Sequence, residues 1–269
     1  MKRCLLVILL LVLFLVSCAP TAMPSSVSTL PASKPRTLNV FAAASLTDAF
    51  TEIGKTFEAA NPGVTITFNF GGSQALRTQI EQGAPADVFA SANKMEMDTL
   101  VAGSFVSHDA PQVFLDNKLV VILPAKNPAG LVKLGDLAKP GIKLVLAAEE
   151  VPVGKYARQA FDQMSGQFGN DFKDKVLANV VSNEDNVRQV VAKVQLGEAD
   201  AGIVYTSDTV AAPDLKTIEI PMEENVIAKY PIAPLIKSAN PDLARAFIDY
   251  VLSSDGQDIL QKWGFAPEE

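Results

Sequence analysis

The sequence predicts an α/β fold built on parallel β-sheets. From Asn39 to Trp263, short apolar runs alternate with segments that carry apolar residues at helical spacing. This alternation is typical of parallel sheets covered by helices. The predicted strand Lys118–Leu123 is continuously apolar after its first residue, as expected for a strand buried on both faces. The chain from about Thr37 to Glu269 is long enough for one large α/β domain or two smaller ones.

Residues 1–17 precede this region and predict a lipoprotein signal peptide. Lys2 and Arg3 are followed by an apolar stretch, Leu5–Val16, and then by Ser17 and Cys18. The segment resembles a bacterial lipoprotein signal with a lipobox, which implies cleavage before Cys18 and a lipid on its thiol. An ordinary signal peptide or an N-terminal membrane helix is the alternative, although a membrane span needs about 20 apolar residues.

Residues 18–36 are predicted to form a flexible tether between the lipid and the folded body. They are rich in Ser, Thr, Pro and Ala and lack apolar periodicity. Because Cys4 lies in the signal, Cys18 is the only cysteine left after cleavage, so the mature chain is predicted to form no disulfide. Without Lys2 and Arg3 the chain keeps 21 basic and 30 acidic residues, a net charge of −9. No basic stripe is visible, which argues against nucleic acid as a partner.

The first predicted strand–helix junction lies at residues 39–48. The apolar run that ends at Ala44 is followed by Ser45, predicted to cap a helix that ends before Asn61–Gly63. Further strands are predicted at Val64–Phe70, Asp87–Ala90, Lys118–Leu123, Lys143–Ala147, Val180–Val181, Ala201–Tyr205, Lys216–Ile220 and Ile227–Ile236. Further helices are predicted at Gln74–Gln82, Lys94–Ala102, Gly135–Ala138, Val153–Met164, Asp171–Leu177, Asn186–Leu196, Asp242–Leu252 and Asp255–Trp263. From about Asp208 onward the chain either extends a second domain or returns to the first.

Five places bring hydrogen-bond donors to the end of a predicted strand or the start of a predicted helix. They are Ser45, Ser73 after two glycines, the segment around Pro152 and Val153, the segment from Glu184 to Val187, and Tyr205. Ligands of open α/β sheets bind at the carboxyl ends of strands, and helix N-termini attract anions. The donors are all neutral, which suits a fully deprotonated tetrahedral oxyanion. Hydrogen phosphate suits them less well, because its own proton would find no acceptor.

The same residues carry a family resemblance. The segments that carry it are Phe41–Thr47, Gly83–Phe89, Val151–Ala157, Glu184–Arg188 and Gly202–Asp208. In this order they resemble the molybdate-binding proteins of ABC importers, over about Thr37 to Phe265. The resemblance implies a type II solute-binding fold of two α/β lobes, each with a mostly parallel sheet, and an anion in the cleft between them. The implied contacts to molybdate are the hydroxyls of Ser45, Ser73 and Tyr205 and the backbone at Val153 and Val187. Val153 stands where the family usually has alanine, a change that keeps the backbone N–H.

The resemblance also implies a domain arrangement and a function. The first lobe is expected to comprise residues 37–117 and 209–269, and the second lobe residues 118–208. The implied protein is not an enzyme. It is a monomeric extracytoplasmic receptor, anchored to the membrane by lipid, that captures molybdate or tungstate and delivers it to the membrane permease of an ABC importer. No cofactor is implied, and no metal beyond the oxyanion.

Other functions remain open from the residues alone. A receptor for sulfate or another oxyanion would use the same kind of donors, and an exported enzyme could use the same scaffold. Glu184 and Asp185 leave open carboxylate contacts to the ligand's metal centre. His108 is the only histidine and lies in a predicted exposed loop, which argues against metal triads and against catalysis by several histidines.

Overall fold

The computed structural model describes residues 35–268. The predicted signal peptide, Cys18 and all but the last two residues of the predicted tether lie outside the described residues. The strands in this range are β1 (Arg36–Ala43), β2 (Val64–Gly71), β3 (Val88–Ala90), β4 (Gln112–Asn117), β5 (Leu119–Leu123), β6 (Leu144–Ala147), β7 (Val180–Glu184), β8 (Ala201–Tyr205), β9 (Lys216–Glu219) and β10 (Ala228–Pro234).

The α-helices alternate with these strands as predicted. They are α1 (Thr47–Ala60), α2 (Ser73–Glu81), α3 (Lys94–Ala102), α4 (Pro152–Phe168), α5 (Phe172–Leu177), α6 (Val187–Gln195), α7 (Thr206–Ala211), α8 (Pro241–Leu252) and α9 (Ser254–Lys262). Two short 3-10 helices lie at Ala44–Leu46 and Leu134–Ala138. None of the helices in residues 35–268 combines the length and apolarity needed to cross a membrane.

The strands form two five-stranded sheets with matching topology. The first has the order β2-β1-β3-β10-β4 and the second the order β7-β6-β8-β5-β9. In each sheet the first three strands are parallel, and one reversed strand, β10 or β5, pairs antiparallel with both of its neighbours. Four of the five strands in each sheet therefore run in one direction. The predicted two-lobed α/β fold with mostly parallel sheets is confirmed.

The chain passes between the sheets at two places. It leaves the first sheet after β4 and enters the second at β5, with only Lys118 between them, and it returns between β9 and β10. The predicted return at residue 209 is wrong for β9, because β9 pairs with β5 in the second sheet. We therefore propose that the return crossing lies at residues 220–227. The other lobe boundaries stay a prediction.

Apolar helix faces cover the sheets and form the core of each lobe. In the first lobe, Phe50 of α1 packs against Phe68, Phe114 and Phe247, with ring centroids 5.9 to 6.2 Å apart. Burial of these aromatic side chains stabilises this layer. The packing holds α1 against its sheet and so sets the position of the turn that precedes it.

Two elements and one capping role differ from the sequence prediction. Strand β4 and helix α7 were not predicted. Ser45 does not cap α1, because it lies inside the 3-10 helix Ala44–Leu46, and the capping position is occupied by Leu46 without a side-chain hydrogen bond. The Ser45 hydroxyl is therefore available for another partner.

Candidate functional site

A small cavity lies where the carboxyl ends of six parallel strands, three from each sheet, face each other. Its volume is about 10 Å³. Drug-sized ligands need pockets of about 300–1,000 Å³, so this cavity suits a small ion. The lining residues end β1, β2 and β8 or lie in the segments that follow β1, β2, β3, β6 and β7. They are Ala43, Ala44, Ser45, Gly71, Gly72, Ser73, Ala92, Val151, Pro152, Val153, Asn186, Val187 and Tyr205.

The structure brings all five predicted contact residues to this one cavity. Ser45 and Ser73 come from the first lobe, and Val153, Val187 and Tyr205 from the second. The described residues that line the cavity include no acidic or basic side chain. The donor set is therefore neutral, as the sequence predicts.

Ser45 is held by a residue that the sequence did not single out. Its Oγ lies 2.9 Å from Oη of Tyr230, which is fully buried on β10. The ring of Tyr230 packs edge-on against Tyr205, with centroids 5.8 Å apart. The two tyrosines and Ser45 thus form one packed group behind the cavity.

Ser73 is held by the backbone that follows β3. Its Oγ accepts a hydrogen bond from the amide of Ala92 at 3.0 Å, and its side chain is buried. Gly72 supplies the capping position of α2, so Ser73 is the first helical residue and not a cap. With this acceptor position occupied, the Ser73 hydroxyl can donate its proton to a ligand in the cavity.

Tyr205 ends β8 with its hydroxyl buried. The residue is 1% exposed, and among residues 35–268 its Oη has no hydrogen-bond partner. Burial raises the pKa of Tyr205 well above its usual value, so the phenol stays protonated. An unpaired buried hydroxyl is unfavourable, and at a site of this kind it marks a group that needs a ligand.

Two helices begin at the cavity and present backbone donors to it. Pro152 occupies the first turn of α4, as predicted, and Val153 follows it. The side chain of Asn186 caps α6 by accepting from the amides of Arg188 and Gln189. That cap does not include the amide of Val187, the first residue of α6. First-turn amides have no partner within their helix, so both helix starts can donate to an anion.

Direct contacts join the two lobes at the edge of the cavity. The guanidinium of Arg188 on α6 forms an ion pair with Asp48 on α1 and donates from Nε to the carbonyl oxygen of Ala44 at 3.2 Å. A Cβ added to Gly72 would lie 2.6 Å from the carbonyl oxygen of Asp185 in the other lobe. These contacts define a closed arrangement in which the lobes touch.

A buried carboxylate, Asp208, supports the same region from behind. It accepts from the amide of Tyr205 at 3.1 Å and lies 3.5 Å from Nε of Arg188. Burial raises its pKa to about 6, against the lowering effect of Arg188. Tyr230, Arg188 and Asp208 were not predicted from the sequence as residues of this region. Arg188 lies next to Val187, and Asp208 lies three residues after Tyr205. This closeness in sequence to predicted contacts could have indicated that both residues belong to the site.

The carboxylate contacts left open by the sequence have no support in the structure. Glu184 pairs with Nζ of Lys193 at 2.7 Å and accepts from Ser182, and neither Glu184 nor Asp185 is among the residues lining the cavity. Across residues 35–268, no group of three or more His, Cys, Asp or Glu side chains could hold a metal ion. The side chain of His108 is 90% exposed and pairs with Asp109, and the exposure is as its loop position predicts.

Two lobes joined by two crossings, with a small-ion cavity between them, define a solute-binding protein by class. Residues 38–266 match the family model described as bacterial extracellular solute-binding protein, and the chain belongs to this family. One relative, the molybdate-binding protein ModA of Mycobacterium tuberculosis, is 40% identical over 263 residues, which cover 97% of this chain and 96% of the relative.

Two solved structures share the fold. The periplasmic molybdate-binding protein of Azotobacter vinelandii superposes with a TM-score of 0.75 at 20% identity, covering 86% of this chain and 100% of that chain. The sulfate-binding protein SubI of Mycobacterium tuberculosis superposes with a TM-score of 0.78 at 19% identity, covering 87% of each chain. At these identities the likeness concerns the fold alone, so it does not separate molybdate from sulfate.

Proposed function

We propose that this protein is an extracytoplasmic receptor that captures molybdate or tungstate and delivers the anion to the membrane permease of an ABC importer. The proposal rests on one observation above all: donor groups from both lobes converge on one small cavity, and no charged side chain of residues 35–268 lines it. The 40% identical relative that is named as a molybdate-binding protein supports the same ligand. Ser45, Ser73, Val153, Val187 and Tyr205 are the proposed contacts.

The chemistry of the donors favours this class of ligand. Three hydroxyls and two helix starts can neutralise a dianion through hydrogen bonds and helix dipoles, without a bound cation. A smaller sulfate would leave some of these fixed donors out of reach, and each unpaired buried donor costs about 1–3 kcal/mol. A protonated phosphate carries a proton of its own, which would face hydrogen-bond donors in the cavity and find no acceptor. Molybdate and tungstate, which are similar in size and charge, fit both conditions.

Calorimetric titration of the purified protein with molybdate, tungstate, sulfate and phosphate tests the proposal. We expect molybdate and tungstate to bind more tightly than sulfate, and phosphate to bind most weakly. Equal affinity for sulfate and molybdate would refute the choice of ligand. We expect binding without turnover, so the anion is recovered unchanged from the complex.

Closure of the lobes is the proposed signal to the permease. The donors come from both lobes, so only the closed arrangement can use them all, and the anion stabilises closure by its higher affinity for that state. The permease could then recognise the loaded receptor by its shape. Small-angle scattering with and without molybdate should show compaction, and an unchanged radius of gyration at saturation would argue against this step.

Lipid anchoring is a separate part of the proposal. We infer from the lipobox-like segment and the tether that the mature protein begins at Cys18 and is held at the membrane as a monomer. Mass spectrometry of the native N-terminus should find a diacylated cysteine. A mature chain that begins elsewhere and carries no lipid would contradict the anchor without affecting the ligand.

A further inference from the structure

A buried tyrosine outside the cavity makes its hydrogen bond to a serine that lines the cavity. Tyr230 is 0% exposed, and its Oη lies 2.9 Å from Oγ of Ser45. Ser45 belongs to the cavity lining and Tyr230 does not. The pair therefore links the core of the first lobe to the proposed anion site.

The two hydroxyls share one hydrogen bond but carry two protons, so one proton is left over. If Ser45 donated to Tyr230, the phenol proton would turn toward the neighbouring Tyr205 or Asn117, which also face this oxygen, and Ser45 would have no proton for the anion. One hydrogen bond from the cavity lining to the anion would then be lost. If Tyr230 donates to Ser45, the left-over proton belongs to Ser45 and can reach an anion in the cavity.

We propose that Tyr230 is a positioning residue for oxyanion binding, which donates to Ser45 Oγ and so directs the Ser45 proton toward the anion. The inference rests on the proposed function and deepens it. Burial raises the pKa of Tyr230 far above its usual value, so the phenol keeps its proton at any physiological pH.

Ser73 is oriented in the same way by a different donor. The amide of Ala92 donates a hydrogen bond to Ser73 Oγ at 3.0 Å, so the Ser73 hydroxyl proton is also available to an anion in the cavity. Each serine thus has an occupied acceptor position and one proton to give. An anion that carries its own proton would find no serine oxygen oriented to accept it, which extends the preference for fully ionised anions.

A double-mutant cycle with Ser45→Ala and Tyr230→Phe, measured by calorimetric titration with molybdate, tests the assignment. We expect Tyr230→Phe to weaken binding by about three- to tenfold in the wild-type background, the effect of one neutral hydrogen bond. In the Ser45→Ala background the same change should have no further effect, because Tyr230 acts through Ser45. An equal loss in both backgrounds, or no loss in the wild-type background, would overturn the proposal.

Tyr250→Phe is the matched control. Its Oη donates to Oγ1 of Thr56 at 3.0 Å on the outside of the first lobe, so the change removes the same type of bond without reaching the cavity. We expect unchanged molybdate affinity for this variant, and a loss equal to that of Tyr230→Phe would overturn the proposal by pointing to a general packing effect.

Wild-type titrations and the mutant cycle together distinguish failure of the proposed function from failure of the role assigned to Tyr230. A wild-type protein that binds none of the four anions would overturn the proposed function and this inference together, whereas tight wild-type binding with an additive cycle would overturn the inference alone. Neutron diffraction of the wild-type molybdate complex locates the proton without any mutation. A proton on Tyr230 Oη, pointing at Ser45, is expected, and a proton donated from Ser45 to Tyr230 would refute the assignment.

Discussion

Substitution of Tyr205 by phenylalanine should weaken molybdate binding and should favour closure of the unliganded protein. The hydroxyl is buried and has no hydrogen-bond partner among residues 35–268. With molybdate bound, it would donate a charge-assisted hydrogen bond of about 1.5–3 kcal/mol. Its removal should therefore weaken molybdate binding by about tenfold to a hundredfold.

The same hydroxyl should oppose closure when no anion is bound. In an open form water solvates it, but in a closed form without an anion it would be buried and unpaired, at a cost of about 1–3 kcal/mol. Tyr205→Phe removes this cost, which raises the ratio of closed to open unliganded protein by about fivefold to about 150-fold. Tyr205 would thus reduce false signalling by the unloaded receptor.

Calorimetry and small-angle scattering together test both effects. We expect Tyr205→Phe to bind molybdate more weakly and to show a smaller difference in radius of gyration between unliganded and saturated protein. Without ligand, the variant should unfold at a temperature no lower than that of the unliganded wild type. Tyr250→Phe, which lies away from the cavity, serves as the control and should match the wild type in affinity. Wild-type molybdate affinity in Tyr205→Phe would refute the reasoning.

Three further outcomes follow from the structure. Ser45→Ala and Ser73→Ala should each weaken molybdate binding by about tenfold to a hundredfold in calorimetry, and unchanged affinity in both would mean that the site lies elsewhere. Gly72→Ala should hold the lobes apart at a cost of about 1–3 kcal/mol and keep the saturated radius of gyration near the unliganded value. Gly71→Ala is its control, since a Cβ there would lie 3.4 Å from the nearest side chain, and equal scattering curves for the two variants would contradict the clash. The raised pKa of Asp208, about 6, means that its contribution to the free energy of unfolding is present at low pH and is lost as pH rises through 6. The unliganded protein should therefore gain about 1 kcal/mol between pH 7 and pH 5 from this group, and chemical denaturation should find that gain absent in Asp208→Asn.

Local patterns were sufficient to predict most of the fold. Helix α3 and strand β8 have the predicted bounds, because each is an uninterrupted apolar or periodic segment between clear stop signals. Helix α7 was missed because it is short and rich in β-branched residues. Strand β4 was missed because its apolar run is only three residues long. The return crossing was misplaced because pairing between β9 and β5 is a tertiary contact that no local pattern encodes.

In the candidate site too, local features could be predicted from the sequence, whereas contacts between distant residues could not. Strand ends and helix starts are local features, and they were enough to place Ser45, Ser73 and Tyr205 among the donors at strand ends and helix starts. That these donors from two sheets share one ligand was implied by the family resemblance. The partner of Ser45 is 185 positions away in the sequence, so the sequence predicted a cap where the structure has a hydrogen bond to Tyr230. The contact of Arg188 with Asp48 spans 140 positions and depends on how the lobes meet.

Diffraction from crystals of the molybdate complex, collected at the molybdenum absorption edge, tests the central claim most directly. We expect a single anomalous peak in the cavity, within hydrogen-bonding reach of Ser45, Ser73 and Tyr205 and of the amides of Val153 and Val187. A peak at charged side chains outside this cavity, or a molybdate held by one lobe while the other stays apart, would contradict it.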